Sequence, residues 1–362
     1  MTLLILLFLI LCIYNVKILT IGFCGSTYLS TEQTISIRGI LSILILIGHT
    51  VSFVQFSYGK AIPDFLLGCF IGSGYLAVGV FFLFSGYGLI HSFINKENYL
   101  DGFLRKRMPK VIIPFALTNI IYIVMKSIIG EKFNYKEIVC SFFTSSIMPN
   151  AWYMITIILF YIVFYIIMKQ FEFKKSILLM STFTIGYMVL CYILGSGDWW
   201  YVSCLSFVIG MLWASNEKEL INICKNKYYY FIGLSFIAFS LTYRLDIVIY
   251  KIFKISVDSL LIMSSILACS FFTLFFILLT MKFKFGNKML TWYGKISLEL
   301  YLIHGLIINI VSKFMIINKA YFLILVFLIS TIAATILNKL YSKLIYKLVV
   351  SEQMSNSFKV SI

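Results

Sequence analysis

An arginine and a histidine eleven residues apart, in the stretch RGILSILILIGH from Arg38 to His49, are the side chains whose types and spacing could do chemistry. At about 100° per residue, eleven steps make three helical turns plus roughly 20°, so both fall on one helix face, about 16 Å apart along the axis. Ser42 lies close to the same line. Neutral imidazole is the side chain best matched to proton transfer near neutral pH, and a guanidinium keeps its charge throughout. A polar stripe on an otherwise apolar helix cannot comfortably face lipid; it faces protein or a water-filled cavity.

A second stripe lies near the end of the chain, in TWYGKISLELYLIHG. There Ser297, Tyr301 and His304 fall within about 60° of one another on a helical wheel, and Glu299 points almost the other way. A carboxylate within an apolar span is a functional candidate by default; facing away from the stripe, this one reads as a partner for another helix. Between the stripes, FLRKRMPKVIIP sets Arg105, Arg107 and Lys110 beside Pro109 and Pro114. Such a cluster holds a phosphorylated ligand or anchors the chain on anionic lipid, and composition does not choose between them. In FLLGCFIGSGYLAVGVFFLFSGYGLI, Gly72, Gly79 and Gly86 recur every seven residues as a helix-packing seam, while Ser85, Gly86 and Gly88 leave room for a ligand. His91, just beyond, reads as structural. All five tryptophans fall at predicted span ends, as interfacial anchors do. Trp152, Trp199 and Trp200, with Asn150 and Asp198 close by, also have the makeup of a sugar-binding rim.

The elements that must position these groups are membrane helices. The 362 residues are 61% hydrophobic and 12% charged, with a mean hydropathy of +0.98, far from a soluble globular chain. Apolar runs long enough to cross about 30 Å of hydrocarbon recur at roughly 2–22, 37–57, 67–93, 109–129, 150–169, 176–195, 199–215, 228–243, 258–281, 293–312 and 320–341. The fold class is therefore all-α, a polytopic membrane bundle of about eleven transmembrane helices. It forms one integral-membrane domain over 1–350, with 351–362 as a short tail. The first apolar run lacks a basic start and a cleavage site, so it reads as a retained helix. The loop NKENYLDGFLRKRMPK is the densest basic cluster and should be cytoplasmic, which places the amino terminus outside and the carboxyl terminus inside. The formal charge of +16 is then a topological signal, and nucleic acid is not an expected partner. The eight cysteines are scattered without paired or ligand spacing, and three dispersed histidines suggest no metal site.

Taken together and in order, these blocks resemble acyltransferase family 3, multi-span membrane enzymes that acylate cell-surface glycans and other extracytoplasmic acceptors. Arg38 and His49 match its arginine, ten residues, histidine pattern. Gly79 to Leu89, GVFFLFSGYGL, matches its glycine and double-phenylalanine block. Phe103, Arg107 and Lys110 approximate its cytoplasmic basic motif, with lysine where arginine is usual. NAWYM at Asn150 resembles a tryptophan-bearing block, and YGKISLELYLIH, ending at His304, resembles the late block, with Gly305 in place of a following proline. The resemblance implies a ten-span core, here 37–345, preceded by an extra amino-terminal helix within 1–30.

It also implies an enzyme of the cell membrane with a cytoplasmic acyl-CoA donor, most often acetyl-CoA, and no bound cofactor. The acceptor is a hydroxyl on a surface glycan or lipid-linked saccharide. On that implication Arg105, Arg107, Lys110 and Gly86 bind the donor. Arg38 holds a donor phosphate or polarises the thioester carbonyl, and His49 is the general base, its ring opening with Arg38 into one hollow. Tyr301, His304, Ser297 and Ser85 assist. A transporter or flippase for lipid-linked saccharides is the competing reading, against which stands the lack of an inverted repeat. A glycan polymerase would need larger outer loops than those near 130–149 and 244–257. A second membrane acyltransferase family, built around an intramembrane histidine with asparagine or aspartate, lacks the Arg38 spacing. Acceptor identity and acyl chain length stay open.

Overall fold

The structure is a computed structural model that describes residues 2–19, 28–58, 72–243, 245, 249, 258–314 and 318–359. The opening of the third expected span, 67–71, the outer loop 244–257 apart from 245 and 249, and the end of the first expected span, 20–22, lie outside them. The helices run α1 (Thr2–Ile13), α2 (Thr31–Tyr58), α3 (Gly74–Asn95), α4 (Phe103–Arg107), α5 (Pro109–Ile128), α6 (Tyr135–Cys140), α7 (Ala151–Gln170) and α8 (Phe173–Ile193). They continue with α9 (Leu205–Ser215), α10 (Glu217–Asn226), α11 (Tyr228–Thr242), α12 (Asp258–Lys282), α13 (Lys288–Lys295), α14 (Ser297–Phe314) and α15 (Lys319–Lys359). The chain is an all-α polytopic membrane protein. Among the described residues seven helices are long and apolar enough to cross a bilayer, or eight if the bent pair α13 and α14 is one span.

The eleven expected spans exceed that number at three short helices. At 1.5 Å per residue, α1, α9 and α11 reach only about 18, 17 and 23 Å. For α9 the shortfall is partly made up by the preceding turn. The 3₁₀ segment Asp198–Trp200 runs into it through Val202 N donating to Asp198 O and Phe207 N to Cys204 O, each at 3.0 Å. The first expected span is not one helix. α1 stops at Ile13, and Asn15 takes a left-handed φ of 63°, a conformation asparagine tolerates better than most residues. Lys17–Ile18 then pairs antiparallel with Phe283–Lys284, and the Asn287 amide donates to the carbonyls of Leu11 and Tyr14 at 3.0 and 3.2 Å.

What positions the site is the way α2 and the α13–α14 pair cross. Ser30 opens α2 by accepting from Gln33 N, and the buried Gln33 amide donates to the carbonyls of Thr280 and Phe283 at the end of α12. Gly39 sits against the backbone of Leu290 and Gly294, and Gly294 against the carbonyl of Ile35, so a side chain at either position would strike backbone. Asn287 caps α13 by accepting from Leu290 N at 2.8 Å, and the chain then bends by 72° at Ile296 before α14. The expected span 293–312 is therefore broken near its start. The bend turns α14 alongside α2, bringing the two polar stripes together.

A second close approach joins α3 to α9. Gly86 meets the carbonyl of Phe207 and Gly210 that of Leu83, while Gly79 faces Cys269 and Ser206. Of the glycine seam read from the sequence, Gly79 and Gly86 pack against neighbouring helices, whereas Gly72 lies before α3 with a φ of 74°, and Gly86 is spent on that packing. Large apolar side chains stay exposed on the outward helices, among them Ile120 and Val124 on α5, Ile185 on α8 and Leu328 on α15. Lipid suits such a surface better than water does.

The Gly39–Gly294 crossing leads to a stability test. Gly294→Val forces α13 away from α2 and should cost at least about 2 kcal/mol, as overpacking against backbone does. Gly233→Ala, whose added carbon meets nothing within 4 Å, should be neutral or mildly stabilising. Thermal unfolding of the detergent-purified variants, followed by fluorescence-detected size exclusion, reads both; equal melting would refute the crossing.

Candidate active site

His49 and His304 are hydrogen-bonded to each other, Nδ1 of His49 lying 2.8 Å from Nε2 of His304. Their ring centroids are 5.0 Å apart. The network fixes which nitrogens carry protons. His304 Nδ1 lies 3.0 Å from the carbonyl oxygen of Leu300, which can only accept, so Nδ1 is the protonated nitrogen of the buried His304. Its Nε2 is then an acceptor, and the Asn150 amide, 3.2 Å away, donates to it as well. His49 Nδ1 must donate to that same nitrogen. What remains on His49 is an unprotonated Nε2 whose lone pair has no hydrogen-bond partner among the described residues. The Cβ that Gly74 lacks would sit 3.6 Å from this atom. His49 lines a cavity of about 610 Å³ together with Gly74, Asn150, Trp152, Asp198 and Trp199.

Arg38 lines a different cavity, of about 970 Å³. Its Nε donates to Thr34 O at 3.3 Å, and among the described residues no carboxylate lies within ion-pair distance of it. Arg107 comes to the same wall. Its guanidinium donates to the hydroxyls of Tyr99 and Tyr161 at 3.4 and 3.3 Å and lies 4.7 Å from the centre of the Tyr161 ring. Burial alone would lower its pKa, but Tyr161 and Tyr99 more than offset this and leave it above the ordinary arginine value. Tyr161 passes the chain on to Ser85 Oγ at 3.3 Å. Ser297, its hydroxyl donating to Gly294 O at 2.9 Å, and His91, stacked on Tyr87, complete this side. The wall also holds Glu217, whose Oε1 accepts from Tyr28 and Tyr87 at 2.6 and 2.7 Å.

A third hollow, about 460 Å³, adjoins the arginine cavity, with Arg107 and Tyr161 common to both. Lys96, Lys106 and Lys110 gather there with Arg107. This corrects the sequence expectation in two places. Arg105 lines none of these cavities, and on the one-turn α4 it sits about 100° from Lys106. Gly86 lines none either, because it faces α9. Lys96 and Lys106 were missed. They sit on either side of the turn from Asn95 to Gly102, so no single helical period links them.

The expectation that Arg38 and His49 open into one hollow also fails. Each has its own cavity, and Tyr301 is the residue common to both walls. Its side chain is buried, and its hydroxyl donates to Asn150 O at 3.2 Å. Trp152, Trp199, Asn150 and Asp198 line the cavity with His49, and Trp200 is not in that wall. Glu299 stands where its wheel position placed it, as a partner for another helix. Asn338 of α15 donates to its Oε1 at 3.2 Å, while its Oε2 has no partner.

The model of the acyltransferase 3 domain matches residues 35–339, taking in both stripes, the glycine seam and the basic cluster. No curated protein and no solved structure matches the chain. A match over that much of the chain, on the helices that bring His49, His304, Arg38 and Arg107 to their cavities, establishes that this protein belongs to the acyltransferase 3 family.

Proposed function

We propose that this membrane acyltransferase moves an acyl group, acetyl in the simplest case, from acyl-CoA to a hydroxyl of a surface glycan or lipid-linked saccharide. The observation that carries the reading is the hydrogen-bond relay from Leu300 through His304 to His49, which leaves the His49 Nε2 lone pair beside the space that Gly74 opens. An acceptor hydroxyl in that cavity passes its proton to Nε2 as its oxygen attacks the thioester carbonyl. When the tetrahedral intermediate collapses and the carbon–sulfur bond breaks, the imidazolium returns the proton to the thiolate. Ester and free CoA thiol are the products, and His49 ends as it began.

Distance separates the two possible roles of Arg38. It stands about 16 Å along α2 from the base, further than its side chain extends, so it holds a donor phosphate and does not polarise the carbonyl. Arg107, Lys96, Lys106 and Lys110 supply the remaining cations, with Arg107 able to take phosphate oxygens in pairs and the lysines acting as point charges. Tyr301 is the donor placed for the oxyanion, since it lines the cavity on either side. The pantetheine arm reaches His49 past that ring, so the reactive complex has the phenol displaced from Asn150 O. The basic end is taken as cytoplasmic and the His49 cavity as the outer one, with the α13–α14 pair as one crossing and α9 and α11 also crossing. That gives a ten-span core, and α1 stays at the inner end.

His49→Ala, in membranes given labelled acetyl-CoA and a glycan acceptor, should lose about 10²- to 10⁴-fold in transfer; undiminished transfer would remove His49 from the mechanism. His304→Ala frees the tautomer without removing the base. It should lower kcat about tenfold to a hundredfold while the KM for donor holds. A changed donor KM with unchanged kcat would contradict that. Arg38→Ala should raise the KM for acetyl-CoA much more than that for dephospho-CoA thioesters lacking its phosphate partner, or else raise both together if it grips the diphosphate. An Arg38→Ala enzyme with the wild-type donor KM would exclude either contact.

A further inference from the structure

The wall of the His49 cavity has one ionised side chain among the described residues, Asp198. It is exposed, and among the described residues no cation forms an ion pair with it. Beside it Trp199 is 52% exposed, its ring lying back over Gly197 so closely that a side chain at 197 would collide with it. One glycine thus lets a large aromatic face be presented to the cavity and the carboxylate next to it at once. Trp152 and Asn150 stand across the same space with His49. An aromatic face takes the apolar C–H face of a pyranose, and a carboxylate accepts from two neighbouring sugar hydroxyls. The same carboxylate repels a second negative charge in a space partly shielded from water.

Resting on the acceptor reading above, we propose that the His49 cavity selects a sugar unit bearing neither carboxylate nor phosphate, held by Trp199 and Asp198. Asp198 is a specificity residue here and takes no part in the proton transfer. The contrast between the two sites is then electrostatic. The donor side gathers Arg38, Arg107 and several lysines, which outnumber its carboxylates Glu217 and Glu97, whereas the one charged side chain in the acceptor cavity wall among the described residues is the Asp198 carboxylate. A site that builds in repulsion of one competitor discriminates without tighter binding of the favoured one.

The test uses the full-length protein, labelled acetyl-CoA and a panel of oligosaccharides. The panel holds neutral oligomers plus oligouronides prepared both as free carboxylates and as carboxamides, which differ in charge but keep every hydroxyl. Wild type should acylate the carboxamide with kcat/KM about tenfold or more above the carboxylate, the scale of one like-charge contact. Asp198→Asn should bring the two within about threefold, Asp198→Lys should invert the preference, and Trp199→Ala should raise the KM for neutral acceptors. Equal use of both forms by wild type, or a ratio that Asp198→Asn leaves untouched, overturns the selectivity while transfer to sugar hydroxyls stands. No acylation of any saccharide, with labelled acetyl-CoA still bound, overturns both. Because the wild-type ratio alone can refute the proposal, it survives the loss of any variant that fails to insert.

Discussion

The hydrogen bond between His49 and His304 is the contact on which the other features of the site depend. Each imidazole sits within an apolar helix, where a polar nitrogen without a partner costs several kcal/mol because no water can replace it. The cheapest arrangement is for each ring to satisfy the other, with the Leu300 carbonyl setting the direction of donation along the chain. That arrangement requires α2 and α14 to run side by side at one height, which follows from the bare backbone contact at Gly39 and Gly294 and from the bend at Ile296. Local strictness about side-chain size thus turns into a defined protonation state some distance away.

The same helix orders the electrostatics. α2 begins at Thr31, about two turns before Arg38, and Ser30, Thr31 and Thr34 line the same cavity, so on the proposed function the positive end of its peptide dipoles favours an anion there alongside the guanidinium. Glu217, the one carboxylate in the wall of the arginine cavity among the described residues, has an oxygen engaged by two tyrosine hydroxyls. Bonds of that kind spread its charge and temper its competition with a bound phosphate. Toward the other end of α2 the field falls away, and a neutral histidine with a lone pair becomes the reactive group. On the proposed function one helix therefore carries an anion site and a base, with their environments kept different by distance.

How much of this was legible follows from the range over which each rule acts. Ser297 and Tyr301 lie on one helix, and both reach the wall of the arginine cavity as helical periodicity groups them, whereas Arg38 and His49, also on one helix, open into different cavities. Glu299 pointed away from its stripe on the same argument and does bond to another helix. Gly86 failed for the opposite reason: a glycine leaves room, and only the position of α9 decides whether a ligand or a backbone fills it. Lys96 and Lys106 meet across a turn that has no period to read. The break at Ile296 and the stop after Ile13 fall at polar residues, Lys295 and Ser297 in one case and Asn15 and Lys17 in the other, and the apolar runs on either side carried the expected spans across them. Tyr153 and Tyr161, which no sequence motif singled out, line the arginine cavity.

Tyr301 shows why two cavities suit a transferase in a bilayer better than one. A continuous hollow from Arg38 to His49, lined by cations and hydroxyls, would conduct water and small ions whenever the donor was absent. A single phenol stands between the two cavities, and its bond to Asn150 O is a neutral one, worth about 1 kcal/mol net. Displacing it costs little against the binding free energy of a donor gripped by several cations. On the proposed function, entry of a pantetheine arm would both move the ring and fill the space it leaves, so the passage would be open only when it is plugged. On that reasoning the barrier function and the catalytic function make the same demand on residue 301: an aromatic ring large enough to seal, carrying a hydroxyl that gives up a weak partner for the oxyanion.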